Sequence, residues 1–169
     1  FLTLFFGFYF LTLESQASFS DVASDHSFSK AIDFVRTKGI VSGYPDGTYQ
    51  PDRLINRAEF TKIIVEARFK KEEIDGCLKE GGFFDQKLFS DIESGVWYEK
   101  YVCQAKKASI IGGYPDGTFQ GIRTINFSEA AKIVTLSYGL KTGRGEPWFE
   151  PYLSKLKMLE AIPASLLKV

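Results

Sequence analysis

Histidine is nearly absent from this 169-residue sequence, which has only His26, and the basic and acidic residues balance at 21 each. A single histidine in a Ser/Asp-rich stretch is more typical of a helix cap or an exposed side chain than of a metal site or an active site. The lack of net charge removes the electrostatic attraction to nucleic acid and to anionic membranes. We therefore expect no metal, no cofactor and no nucleic-acid partner.

The sequence also lacks an apolar run long enough to cross a bilayer. Residues 1–13 carry no charge, but a transmembrane helix needs about 20 apolar residues. The run fits the apolar core of a secretory signal peptide, with Ser15 and Ala17 as the small residues before the cleavage site. We expect residues 1–17 to be a signal peptide whose basic n-region is missing, and the protein to be exported without a transmembrane anchor.

Cysteine occurs only twice, at Cys77 and Cys103. An oxidising compartment outside the cytoplasm permits a disulfide between them. Two buried thiols are the alternative. The sequence leaves both open.

An internal duplication dominates what the sequence does contain. Phe-Ser-Asp-Val at residues 19–22 recurs as Phe-Ser-Asp-Ile at residues 89–92, and Gly-Tyr-Pro-Asp-Gly-Thr at residues 43–48 recurs unchanged at residues 113–118. Both pairs are separated by 70 positions. A constant offset without a gap indicates a repeat rather than chance similarity of short motifs.

Each copy predicts a helix, a turn-rich loop and a second helix. The first helix shows apolar residues with i, i+3, i+4, i+7 spacing; these are Phe28, Ala31, Ile32 and Val35, repeated as Tyr98, Tyr101, Val102 and Ala105. Asn56 with Glu59 is expected to cap the second helix. The buried stripe of that helix is predicted at Phe60, Ile63, Ile64 and Ala67.

The aromatic residues of the first helix return once more near the end of the sequence. Trp148, Tyr152 and Leu156 match Trp97, Tyr101 and Ala105 at an offset of 51. No further Gly-Tyr-Pro-Asp-Gly-Thr follows, so a third repeat is expected to be incomplete.

Four features occur in a fixed order and spacing: Phe-Ser-Asp-Val, the aromatic first helix, the Gly-Tyr-Pro-Asp-Gly-Thr loop and Ile-Asn-Arg-Ala-Glu-Phe. Together they resemble the S-layer homology (SLH) domain family. The resemblance implies an all-α fold of tandem helix-loop-helix repeats packed as a pseudo-threefold helical bundle. The expected segments are repeat 1 at residues 19–67, an insertion at 68–88, repeat 2 at 89–138 and a partial repeat 3 at 146–169.

The resemblance further implies a non-catalytic module at the bacterial cell surface that binds secondary cell-wall polysaccharide, often pyruvylated. The family's binding positions correspond to Arg57, Gly43 and Gly113. Tyr44 and Tyr114 could offer flat faces to a sugar ring, or could equally hold the loop against the helices.

The position of Arg57 also supports an anion site on physical grounds. In the first turn of a helix, free backbone N–H groups and the helix dipole favour an anion, and a guanidinium adds a bidentate clamp. The alternative is a solvated arginine paired with Glu59 or Asp52. Repeat 2 has Phe127 at this position, so we expect one competent site.

Two other functions were weighed against polysaccharide binding. Degenerate repeats could instead pack against neighbouring surface-layer proteins. An enzyme is disfavoured because the candidate carboxylate pairs, Asp46/Asp116 and Glu59/Glu129, recur in both repeats, as structural turns and caps do. The Asp-rich loops also lack the ligand spacing of a calcium-binding EF-hand.

Overall fold

The computed structural model describes residues 19–79 and 87–163. The predicted signal peptide lies outside these residues. The described part of the chain contains six α-helices and a 3-10 turn at Cys77–Lys79; the helices are α1 Ser29–Thr37, α2 Arg57–Arg68, α3 Lys71–Gly76, α4 Glu99–Lys107, α5 Phe127–Ser137 and α6 Glu150–Met158. The all-α class predicted from the sequence is confirmed.

The chain divides into two compact units between Asp52 and Arg53. The first unit contains α1 over a small core, formed by Phe19, Val22 and Ile32 with half-buried Val41 and Tyr49. In the second unit α2 packs against α4 and α5, α3 packs against α4, and α5 packs against α6. Residues of the predicted first repeat therefore contribute to both units.

The Phe-Ser-Asp motif anchors the loop that precedes each second helix. In repeat 2 the Asp91 carboxylate accepts the backbone N–H of Phe119 at 2.7 Å and of Gln120 at 2.7 Å. Gln120 has a positive φ of 55°, a conformation that is unfavourable for a residue with a side chain. The two charge-assisted hydrogen bonds offset this strain and fix the loop. Asp21 makes the same pair of bonds to Tyr49 and Gln50.

Capping boxes begin both second helices, as the sequence predicts. The Asn56 side chain accepts the Glu59 N–H at 2.8 Å, and the Glu59 carboxylate accepts the Asn56 N–H at 2.9 Å. Asn126 and Glu129 repeat the arrangement in α5. Each box satisfies two of the backbone donors that a helix start leaves open.

The buried face of α2 differs from the prediction. The helix buries Arg57, Ala58, Thr61 and Val65, whereas Ala67 is exposed and Ile63 is only half-buried. Because α2 packs against both α4 and α5, its neighbours decide which face is covered. Hydrophobic periodicity cannot identify a buried face that carries an arginine and a threonine.

The first helices agree with the predicted stripe to different extents. In α4, Tyr101, Val102 and Ala105 are buried as expected. In α1 only Ile32 is buried, while Phe28 and Ala31 are exposed. The same spacing therefore yields a full apolar face only in the second unit.

The predicted insertion carries structure of its own. It contains α3 and the 3-10 turn, and Cys77 forms a disulfide with Cys103 of α4 across a Cα separation of 6.1 Å. Both cysteines are fully buried. The bridge therefore attaches the insertion covalently to the first helix of repeat 2.

An acidic residue strengthens the same junction. Asp75 of α3 pairs with Lys100 of α4 at 2.6 Å and also with Lys71. Hydrogen bonds from Lys100 and Lys71 lower the pKa of Asp75 from 3.8 to about 2. Because the folded-state pKa is depressed, this stabilisation is complete above pH 3.8 and is lost as the pH falls through about 2.

We therefore expect Asp75→Asn to be less stable than the native protein at neutral pH and equally stable once the pH falls below about 2. Urea unfolding of both proteins from neutral to acidic pH measures this difference. A stability gap of constant size across the whole range would contradict the assignment.

Candidate functional site

Arg57 lies in the first turn of α2 and is buried, with 6% of its surface exposed. The carbon atom of its guanidinium group is 5.1 Å from the ring centroid of Tyr114 and 5.1 Å from that of Phe119. Cation–π attraction to two aromatic rings holds the guanidinium in place. The alternative of a solvated arginine is therefore wrong.

The start of α2 is closed by backbone contacts with repeat 2. The N–H of Arg57 donates to the carbonyl of Arg123 at 2.9 Å, and the N–H of Ala58 donates to the carbonyl of Gly121 at 2.9 Å. The next N–H, that of Glu59, is used in the capping box. The prediction that free N–H groups would help to bind an anion is wrong, so an anion would depend on the guanidinium.

Arg57 also does not pair with Glu59, the acidic residue of its own helix that was proposed for it. Glu59 instead pairs with Arg53, at 3.0 Å. Within the described ranges Arg57 forms no salt bridge, and its Nε is buried without a hydrogen-bond partner. Burial lowers the pKa of Arg57 from its usual value, yet an arginine stays charged at any physiological pH. The result is a buried cation that forms no salt bridge of its own within the described residues.

A polar cluster next to Arg57 fixes one of its aromatic neighbours. The Tyr114 hydroxyl donates to the Glu129 carboxylate at 2.5 Å, and Arg123 donates to both groups. Burial raises the pKa of Glu129, but hydrogen bonds from Tyr114, the Asn126 backbone and Arg123 outweigh it and leave this pKa below its usual value. Glu129 is therefore ionised and is already neutralised by Arg123.

The charges of the site thus leave one positive group uncompensated. Glu129 attracts both arginines, but among the described residues it forms its salt bridge with Arg123, so the two positive charges share one carboxylate. A buried charge is costly unless it is paired. This arrangement suits an external carboxylate, which a planar guanidinium can bind through two parallel hydrogen bonds.

The five residues predicted as site residues fall in both compact units. Gly43 and Tyr44 belong to the first unit, whereas Arg57, Gly113 and Tyr114 belong to the second. Tyr114 contacts Arg57, as described above. In each loop the tyrosine N–H donates to the threonine carbonyl four residues later, at 2.8 Å for Tyr44 and 2.9 Å for Tyr114.

The predicted glycines are required by the loop itself. Gly113 has φ of 75°, and a Cβ there would lie 2.3 Å from Phe89 Cε1 and 2.8 Å from the Thr118 carbonyl oxygen. Gly43 has φ of 73° and is equally crowded by Phe19 and Thr48. Such close approaches leave no room for a side chain, so both positions have a structural reason to be glycine.

Gly113→Ala is expected to lower the free energy of unfolding by about 3 kcal/mol, the sum of left-handed backbone strain and overpacking. Gly117→Ala is the matched control, because Gly117 has φ of 79° but only a distant neighbour at 3.9 Å. It should lose only the backbone term, about 1 kcal/mol. If urea unfolding showed the same loss of unfolding free energy for both variants, the close approach to Phe89 would not add to the cost of a side chain at Gly113.

Phe127 takes the place of Arg57 at the start of α5 and is 47% exposed. It offers no hydrogen-bond donor for a carboxylate beyond the backbone. Within the described residues, the guanidinium-centred arrangement is therefore present at α2 and absent at α5.

Three residues of the Arg57 site were not predicted as site residues: Phe119 and Arg123 were not singled out, and Glu129 was interpreted only as a helix cap. A signal for two of them was present. Arg123 and Glu129 lie 70 positions after Arg53 and Glu59, and both pairs form salt bridges. The stacking of Phe119 on Arg57 depends on contacts between repeats, for which the sequence carries no local pattern.

The described part of the chain contains neither a cluster of metal ligands nor a membrane-spanning helix. No group of three or more His, Cys, Asp or Glu side chains there is placed to hold a metal ion. No helix there is long and apolar enough to cross a membrane.

Comparison with known proteins matches both repeats. The family model for the S-layer homology domain matches residues 18–61 and 88–131. Cell surface glycoprotein 1 of Acetivibrio thermocellus is 34% identical over 123 residues, covering 72% of this chain and 5% of that protein. The cellulosome-anchoring protein of the same organism is 34% identical over 123 residues, covering 73% of this chain and 26% of that protein.

An enzyme also shares the similarity. Endo-1,4-beta-xylanase A of Thermoanaerobacterium saccharolyticum is 34% identical over 103 residues, covering 60% of this chain and 8% of that protein. The chain thus spans only 5% to 26% of the length of these three curated relatives.

Proposed function

Because this chain belongs to the S-layer homology domain family, we propose that it is a non-catalytic module that anchors a larger protein by binding secondary cell-wall polysaccharide. The module belongs at the bacterial cell surface, as the sequence predicted, and one of its relatives is a cellulosome-anchoring protein. Three things are proposed here: the polysaccharide as the ligand, a carboxylate as the group that is recognised on it, and the larger protein that is anchored.

The observation that carries the proposal is the buried Arg57 guanidinium, which lies near two aromatic rings, forms no salt bridge among the described residues and leaves its Nε without a hydrogen bond. A pyruvyl ketal places one carboxylate on an otherwise neutral sugar, which matches one uncompensated positive charge. Tyr114 and Phe119 limit the orientations of the guanidinium, so less side-chain entropy is lost when the ligand binds. We infer that Arg57 binds the ketal carboxylate and that Tyr114 and Phe119 orient it.

Repeat 2 is proposed to contribute the aromatic walls of this site rather than a second site. Its loop supplies Tyr114 and Phe119 to Arg57, while its own equivalent position is Phe127. One ligand site would then be built from α2 and the loop of repeat 2. Neighbouring surface-layer proteins remain the alternative partners, and exposed Phe127 is the observation that favours them.

The match to a xylanase does not make this module catalytic. It covers 8% of that enzyme, a share that suits an appended module better than a catalytic domain. We propose that the chain supplies attachment and that any enzymatic activity resides elsewhere in proteins that carry such repeats.

Sedimentation with purified wall polysaccharide, before and after chemical removal of pyruvate, tests the proposal with the native protein. We expect the protein to sediment with the untreated polymer and to remain in the supernatant after depyruvylation. Binding that survives the treatment unchanged would overturn the carboxylate mechanism, and no binding to either polymer would favour packing against protein partners.

A further inference from the structure

A second group of aromatic residues beside a basic side chain lies where α5 meets α6, and its tryptophan is exposed. The Lys132 Nζ is 5.5 Å from the ring centroid of Trp148 and 5.8 Å from that of Tyr152. Trp148 is 48% exposed. We call Lys132, Trp148 and Tyr152 the α5–α6 cluster.

The same arrangement occurs where α2 meets α4. The Lys62 Nζ is 6.0 Å from the ring centroid of Tyr101, and the Trp97 and Tyr101 centroids are 6.5 Å apart. Trp97 is 54% exposed. We call Lys62, Trp97 and Tyr101 the α2–α4 cluster.

These clusters follow the junctions between repeats rather than the first helices themselves. Repeat 1 has Ser27 and Ala31 where repeat 2 has Trp97 and Tyr101. This tryptophan and tyrosine pair therefore occurs at the first helices of repeats 2 and 3, each of which packs against a second helix that carries a lysine. Tyr101 belongs to the core, but about half of each tryptophan surface is exposed, so a role in the core does not account for the two tryptophans.

The two clusters differ in charge at one position. In the α2–α4 cluster, Glu66 lies 3.9 Å from Lys62 and accepts the Tyr101 hydroxyl at 3.0 Å. In the α5–α6 cluster the corresponding residue is Leu136. Among the residues that the structure describes, Lys132 forms no salt bridge and contacts the two rings. The first cluster is electrically balanced, and the second carries one positive charge.

We propose that the α5–α6 cluster is a second carbohydrate site, which takes a sugar ring that bears a carboxylate. The apolar C–H face of the ring would stack on Trp148, whose indole combines a flat apolar face with a polar edge. The carboxylate would pair with Lys132. The α5–α6 cluster shares no residue with the Arg57 site. The proposal rests on the proposed function in one respect, which is that the wall polymer is the source of the sugar.

Only two tryptophans occur in the sequence, so the indole N–H signals in a proton–nitrogen NMR spectrum report each cluster separately. Trp97→Phe and Trp148→Phe assign the two signals. We expect methyl β-glucuronide to shift the Trp148 signal in a saturable manner and to leave the Trp97 signal in place. Methyl β-glucoside, the neutral counterpart, should bind about tenfold more weakly because it lacks the charge-assisted contact.

Leu136→Glu gives the α5–α6 cluster a carboxylate at the position of Glu66 in the α2–α4 cluster. Lys132→Gln removes the cation of the α5–α6 cluster. Each is expected to weaken glucuronide binding about tenfold. No Trp148 shift, equal shifts of both tryptophans, or equal affinity for glucuronide and glucoside would overturn the proposal.

Arg57→Gln separates this proposal from the proposed function. The variant should lose binding to the pyruvylated wall polymer at the Arg57 site and keep the glucuronide shift at Trp148. Loss of the Trp148 shift in a folded Arg57→Gln protein would show that the α5–α6 cluster is not an independent site. A retained shift alongside unchanged polymer binding would refute the Arg57 mechanism alone.

Discussion

Arg57→Gln is expected to weaken binding to pyruvylated wall polysaccharide about a hundredfold, the effect of losing a bidentate charge-assisted pair. Glutamine retains a donor and much of the length but has no charge. The unfolding free energy should change by no more than about 1 kcal/mol, because the lost stacking on two rings is offset by removal of a desolvated charge. Titration of labelled polymer and urea unfolding measure the two quantities.

Two variants control for this effect. Phe127→Gln alters the repeat-related position, which is exposed, and should leave the affinity for polymer unchanged. Arg57→Lys keeps the charge but loses the planar fork, so it should retain only part of the affinity. A Phe127→Gln protein as defective as Arg57→Gln would show that repeat 2 contributes a ligand contact of its own.

Removing the disulfide is expected to cost about 3.5 kcal/mol of stability, according to the loop-entropy model for cysteines separated by 26 residues. Cys77→Ala/Cys103→Ala should therefore lower the melting temperature by roughly 15 °C. The loss is expected in the second compact unit, because the bridge joins the insertion to α4. Calorimetry of the native and doubly substituted proteins measures it.

Reduction of the native protein provides the matched comparison. Because both cysteines are fully buried, the reduced protein keeps two thiols in place of the bridge and should lose nearly as much stability as the double variant. A reduced protein that melts at the native temperature would contradict a stabilising role for the bridge.

The elements that the sequence predicted well are those set by local interactions. The capping boxes at Asn56 and Asn126 and the hexapeptide turns depend on residues within a few positions of one another. The structure contains each of them where the repeat placed it. The constant spacing of 70 positions allowed every local feature of one repeat to be checked against the other.

What the sequence could not supply is the contact between α2 and repeat 2. The predicted stripe of α2 is confirmed in part, because half-buried Phe60 and Ile64 pack against the core whereas Ala67 is exposed. The pattern did not predict that Arg57 and Thr61 are buried. Similarly, the position of Arg57 in the first turn of a helix predicted free backbone N–H groups there. The carbonyls of Arg123 and Gly121 accept hydrogen bonds from the N–H groups of Arg57 and Ala58. These contacts join residues more than sixty positions apart, and no periodicity within α2 encodes them.

The central claim is that the Arg57 guanidinium recognises a carboxylate on the wall polymer. The most direct test is a thermodynamic cycle that combines Arg57→Gln with removal of pyruvate from the polymer. Native and Arg57→Gln proteins are titrated with the polymer before and after depyruvylation. We predict that depyruvylation weakens the native protein about a hundredfold and leaves the variant unchanged, a coupling of about 2.7 kcal/mol. Equal losses for both proteins, with no coupling, would show that Arg57 does not bind the carboxylate.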